Sequence, residues 1–208
     1  MNQWNRVTRL LIAAMLALLA GTAQAITDRE LISLVSGTVD SVLSRIGEQR
    51  AELEKNPGRI PDVVAELLTP YFDFRAMASA AMDTHWEDAS ESQRTEVVDE
   101  FRELLVRTYG TALMGYSGTP IRYEGVRWSR DKGRVIVYTQ VTRDSGTAVP
   151  INYRLHSVEG QWMVYDLEID HIHLVKSYRS SFGNTIRQSG IDGLIEKLVA
   201  RNRKIGNG

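Results

Sequence analysis

Acid–base and metal-ligand side chains gather late in the chain, where Asp166, Glu168 and Asp170 alternate and His171 and His173 follow. Alternation at a period of two puts the three carboxylates on one face of a strand. With imidazoles on either side of the ensuing turn, the set has the side chains of a mononuclear metal site or of a hydrolase acid and base. A solvated strand edge running into a hinge turn has the same pattern. No H-E-x-x-H or other fixed ligand spacing accompanies it. Arg179, near the start of the next helical segment, is placed to pair an acid such as Asp166 or to touch a phosphate. His85 beside Trp86 and His156 on a polar strand face are read as structural.

Other catalytic machinery is missing. The chain has no cysteine, no G-x-S-x-G and no S-x-x-K, so no nucleophile motif is present. It has neither a Walker A loop nor a G-x-G-x-x-G turn, which argues against a nucleotide cofactor. The expectation is therefore a protein that is not an enzyme, with no cofactor and no catalytic or metal-binding residues. A hydrolase built on the Asp166–His173 cluster is the alternative.

The elements that must position these residues are legible from periodicity. Thr27 and Glu30 form a capping box. Leu31, Ile32, Leu34, Val35, Val39, Val42, Leu43 and Ile46 follow at helical spacing until Asn56-Pro57-Gly58. Pro61 suits the first turn of a short helix that ends by Pro70. Residues 73–82 form another. Ser90 and Gln93 make a second capping box, opening a long helix over 91–116 with Val97, Phe101, Leu104, Leu105, Tyr109, Ala112, Leu113 and Tyr116 on its apolar stripe. From residue 121 the period changes to two, predicting strands over 121–128, 134–142, 148–157 and 161–169. Short polar, glycine-containing links predict an antiparallel meander. One amphipathic segment spans 174–189 with Gly190 just beyond it, and another spans 192–204.

Val135, Val137, Thr139 and Val141 should share one sheet face with Val149, Ile151, Tyr153 and Leu155. That face is either plain core or the wall of a cavity. The supply of apolar helix faces, with many Tyr, Met and Trp side chains, suits a cavity with a wet mouth. Met163, Tyr165 and Leu167 share a face by parity unless a bulge intervenes.

Arg6 and Arg9, an apolar stretch over 10–20 and the Ala23-Gln24-Ala25 box read as a secretory signal over residues 1–25, with a retained anchor as the alternative. Its loss from 208 residues would leave 183, enough for one domain over 26–208. Removing two arginines and no acid takes the formal charge from −1 to −3. A mildly acidic chain suits neither nucleic acid nor direct attraction to anionic lipid. The expected location is the periplasm.

Several pieces in order resemble the MlaC family of periplasmic phospholipid carriers, also called toluene-tolerance auxiliary proteins. The segment over 67–74 looks like the family's L-x-P-Y-x-D-F pattern, and Trp86 with the long helix through Leu105, Arg107 and Tyr109 is also similar. Tyr153-Arg154, the Trp162-to-Asp166 strand, Tyr178-Arg179-Ser180-Ser181-Phe182 and Gly190-Ile191-Asp192-Gly193-Leu194-Ile195 complete the match. The family usually has Gly-Val-Ser where this chain has His171-Ile172-His173, and Asn where it has Ser177.

The resemblance implies an α+β fold, with helices packed on a curled four-stranded antiparallel sheet that encloses an apolar cavity for phospholipid tails. It also implies a carrier that maintains outer-membrane lipid asymmetry. Its partners would be phospholipid, an outer-membrane lipoprotein–porin complex and an inner-membrane ABC transporter with an MCE-domain subunit. Joining this to the strand and helix faces, the expected lipid-binding residues are Leu105, Tyr109, Leu113, Val137, Val141, Ile151, Tyr153, Leu167, Ile172, Leu174, Tyr178 and Phe182. A headgroup left in solvent predicts headgroup-tolerant binding.

Overall fold

The computed structural model describes residues 26–206 except 115–117, 119, 131–132 and 143–145, and leaves out the side chains of 111 and 112. The segment predicted to be a signal, residues 1–25, and Tyr116 therefore lie outside the described residues, as does the side chain of Ala112. Helix α1 (Asp28–Lys55) opens on the predicted capping box, with the Thr27 hydroxyl accepting from the Glu30 amide and the Glu30 carboxylate from the Thr27 amide. A short 3-10 turn over Pro57–Arg59 leads into α2 (Ile60–Leu68). Asp73 caps α3 (Phe74–Met82) by accepting from the Ala76 amide at 2.9 Å. After the four-residue α4 (His85–Asp88), the Ser90–Gln93 capping box starts α5 (Glu91–Met114).

Five strands follow: β1 (Arg122–Trp128), β2 (Arg134–Thr142), β3 (Ala148–Val158), β4 (Gln161–Ile169) and β5 (Ile172–His173). They form an antiparallel meander in sequential order. The fold is α+β, with a two-residue fifth strand added to the four predicted. Glu159-Gly160 and Asp170-His171 link their strands as two-residue turns with positive φ at both positions, the conformation that matches strand twist. Helix α6 (Leu174–Gly206) is two helical pieces joined at Gly190, where φ is 72°. Glycine takes that left-handed conformation without a Cβ clash, so the break falls where the sequence predicts it. No helix among the described residues is long and apolar enough to cross a membrane.

The buried side chains fall into three groups. Met77, Met82, Phe101, Leu104, Tyr178, Phe182, Leu194 and Leu198 join α3, α5 and α6. Val42, Ile46, Leu53, Ile60, Val64 and Val106 join the second half of α1 to α2 and α5. Leu31 and Val35 of α1 cover Val135, Val137, Leu155 and Val164 on the sheet. The Trp128 indole N–H donates to Asp28 at 2.6 Å and fastens the start of α1 to β1.

Candidate lipid-binding cavity

The core is divided because a cavity of about 870 Å³ takes lining residues from all three groups. Val141, Val149, Ile151, Tyr153, Leu155, Trp162, Val164, Leu167 and Ile169 form its sheet wall. Leu105, Tyr109 and Leu113 of α5 and Leu174 of α6 line it from the helical side. Burial pushes the Tyr153 phenol pKa up, helped by the Tyr123 phenol nearby, so its hydroxyl stays neutral in this apolar wall. Leu34, Tyr109 and Ile172 line the cavity and are also 44%, 38% and 63% exposed, which marks its mouth.

Two features of β4 set this geometry. A bulge shifts the register from Arg154 opposite Asp166 to Leu155 opposite Val164, leaving Tyr165 as the extra residue. Val164 and Leu167 both line the cavity as a result. Tyr165 is turned away, its ring 5.1 Å from that of His156 and beneath the Arg134 guanidinium at 5.6 Å. The Asp170-His171 turn then brings Ile172 back to the mouth. His171 stands there at φ 65° without being glycine, and Asp170 at φ 50°. The turn thus carries side chains at left-handed positions, at a cost in backbone strain.

Leu105, Tyr109, Leu113, Val141, Ile151, Tyr153, Leu167, Ile172 and Leu174 are at the cavity surface. Val137, Tyr178 and Phe182 are not. Val137 shares the predicted sheet face but is sealed under Leu31 and Val35. Tyr178 and Phe182 pack edge-on against Phe101, each ring centroid 5.1 Å from it, in the layer between α5 and α6. The Tyr178 phenol is pushed up to about 12 by burial and by the adjacent Tyr109 phenol. Strand parity tells which face a residue occupies, but not which part of that face a helix covers.

Reasoning from sequence missed the other wall. Leu34, Val35, Thr38, Val39, Val42 and Leu43 of α1 line the cavity, as do Val64 and Leu68 of α2 and Tyr71, Phe72, Phe74 and Met77 beyond it. The available signal was the excess of apolar positions on α1, more than one buried stripe needs. Phe72 is brought in by a parallel bridge to Val164, with the Asp73 amide donating to the Val164 carbonyl at 2.9 Å.

The acid and histidine cluster faces away from the cavity. Asp166 Oδ1 accepts from the Val175 amide at 3.0 Å, and Oδ2 is 3.4 Å from His173 Nδ1 and 3.9 Å from Arg154 Nε. Glu168 Oε2 is 3.6 Å from both Arg154 Nη2 and His173 Nε2. Burial raises the Asp166 pKa, and the Val175 amide, His173 and Arg154 pull it back in part. Asp170 does not share this face. It belongs to the turn and lines the cavity. Among the described residues, no group of three or more acids and histidines is arranged to hold a metal ion. The cluster ties β3, β4, β5 and the start of α6 together, with Arg154 Nε buried and making no hydrogen bond among the described residues. Arg179 does not reach Asp166 either. Its Nε donates to the Ala80 carbonyl at 3.2 Å and its Nη2 is 3.4 Å from Asp83.

The model of the family described as MlaC protein matches residues 36–200. The toluene tolerance protein ttg2D of Pseudomonas putida is 25% identical over 160 residues, spanning 76% of this chain and 74% of that protein. The intermembrane phospholipid transport system binding protein MlaC of Haemophilus influenzae is 22% identical over 201 residues, spanning 95% of this chain and 92% of that protein. A phospholipid-binding protein from Ralstonia solanacearum, solved in complex with a phospholipid, superposes with a TM-score of 0.73 at 29% identity, covering 83% of this chain and 97% of the other.

Proposed function

The chain belongs to the MlaC family, and on that premise we propose that it is a periplasmic carrier that holds phospholipid by its acyl chains and ferries it between the two membranes. The observation that carries this reading is the cavity: about 870 Å³, bounded almost wholly by aliphatic and aromatic side chains, and open at a rim of exposed Leu34, Tyr109 and Ile172. A methylene needs about as much room as a water molecule, roughly 30 Å³. The space therefore suits two acyl tails of ordinary length. The phospholipid complex of the Ralstonia relative supports the same ligand.

On this reading, residues 1–25 are an export signal and residues 26–208 fold as one lipid-binding domain. The nine predicted residues at the cavity surface, with the α1 wall, contact the tails. Two tails represent on the order of 20 kcal/mol of avoided water contact at about 0.8 kcal/mol per methylene. A bilayer offers the same, so exchange is close to neutral and its drive comes from partners. Those partners are an outer-membrane lipoprotein–porin complex and an inner-membrane ABC transporter with an MCE-domain subunit. The exposed charges around the mouth make the encounters salt-sensitive.

The test follows labelled phospholipid from donor to acceptor vesicles. Slow transfer that is accelerated by purified partner complexes and slowed by salt is expected. Tight binding to bare vesicles, with transfer indifferent to partners, would contradict the shuttle. If replacing His171 and His173 with Ala abolished turnover of an ester while lipid binding survived, the cluster would be a hydrolase site instead.

A further inference from the structure

We propose that Asp170 biases the cavity toward phospholipids with an ammonium in the headgroup, phosphatidylethanolamine over phosphatidylglycerol. This rests on the carrier reading and adds a headgroup preference to it. Apart from tyrosines, Asp170 is the one ionisable side chain on the described cavity wall. It stands at the mouth, two residues before the exposed Ile172 that also lines the cavity. Its backbone is fixed, with the amide donating to the Pro150 carbonyl at 2.9 Å and Ile169 paired with Ile172 across the turn.

Among the described residues the carboxylate has no committed partner. Asp166 and Glu168 nearby point to the opposite face and lie beside Arg154 and His173 there. Asp170 makes no side-chain hydrogen bond or ion pair among the described residues. With tails inside the cavity, a headgroup emerges beside it. An ethanolamine headgroup carries an ammonium beyond its phosphate, which an exposed carboxylate attracts. A glycerol headgroup has only the phosphate charge, which the carboxylate repels. An exposed pair of this kind favours its partner by about two- to fivefold, less in high salt. Headgroup tolerance, the expectation from sequence, is tilted by that amount and not abolished.

Delipidated full-length mature protein is incubated with equimolar phosphatidylethanolamine–phosphatidylglycerol vesicles of matched tails, recovered, and its lipids are counted by mass spectrometry. The parent should carry about two to five ethanolamine lipids per glycerol lipid at low salt and a ratio nearer one in 0.5 M salt. Asp170→Asn should carry the two lipids at a ratio near one in both salts. Asparagine tolerates the left-handed turn, so this variant keeps the fold. Equal ratios in parent and variant at low salt would overturn the inference while leaving the carrier intact. No lipid in either protein would overturn the carrier reading, and the inference with it.

Discussion

Arg154 on β3 stands directly opposite Asp166 on β4, on the sheet face turned away from the cavity, and the same carboxylate accepts the Val175 amide at the start of α6. One acid thereby joins two strands and a helix. This is a structural use of residues whose types suggested catalysis.

Because burial raises the Asp166 pKa above its ordinary 3.8, ionising this group weakens the fold. Its contribution is complete below pH 3.8 and is lost as pH rises through the elevated folded value. Asp166→Asn keeps an oxygen for the Val175 amide and cannot ionise. Its stability relative to the parent should therefore increase as pH rises from below 3.8 toward neutrality. Denaturant unfolding of both proteins across that range reads the difference. A difference that stays flat, or falls, contradicts the assignment.

His171 at φ 65° is the strained position of the β4–β5 turn. His171→Gly removes a left-handed penalty of about 1–2 kcal/mol and adds back roughly 0.5–1 kcal/mol of chain freedom in the unfolded state. A gain of about 0.5–1 kcal/mol in unfolding free energy is expected. A loss would mean that the 4.0 Å approach of His171 to Glu168 matters more than the strain.

Core and cavity residues should separate cleanly. Phe182→Ala, at a position buried against Phe101, should cost about 3–5 kcal/mol and leave the lipid content of the folded fraction unchanged. Val137→Arg, at a fully buried position, should unfold the protein. Ile151→Glu, at the partly exposed cavity wall, should stay folded and lose lipid uptake. Circular dichroism with lipid extraction tests all three. Normal lipid loading by Ile151→Glu would show that this sheet face does not hold the tails.

Trp162 lines the cavity, with its ring 5.5 Å from that of Trp128, whereas Trp86 is buried among the helices. Loading lipid should blue-shift tryptophan emission, and Trp162→Phe should remove most of the change. A shift that persists in full in that variant would place the response elsewhere.

Much of this was legible in the sequence because local physics decides it. The Thr27 and Ser90 capping boxes, the break at Gly190 and the change of period at residue 121 each depend on neighbours a few positions away. What was not legible depends on distant contacts. Val137 and Val141 have the same parity, and only the placement of Leu31 and Val35 over the sheet seals one and leaves the other at the cavity. The bulge at Tyr165 separates Leu167 from Met163 and Tyr165, a distinction that period-two counting cannot make. Arg179 found Asp83 and the end of α3 instead of Asp166 because α6 crosses α3 there.

The central claim is that the cavity holds phospholipid tails. Organic extraction of the purified protein, followed by mass spectrometry against protein concentration, tests it most directly. The account predicts diacyl phospholipid at close to one per chain, and loss of that lipid in Ile151→Glu. Folded protein that carries no lipid, and takes none up from vesicles after delipidation, would contradict it.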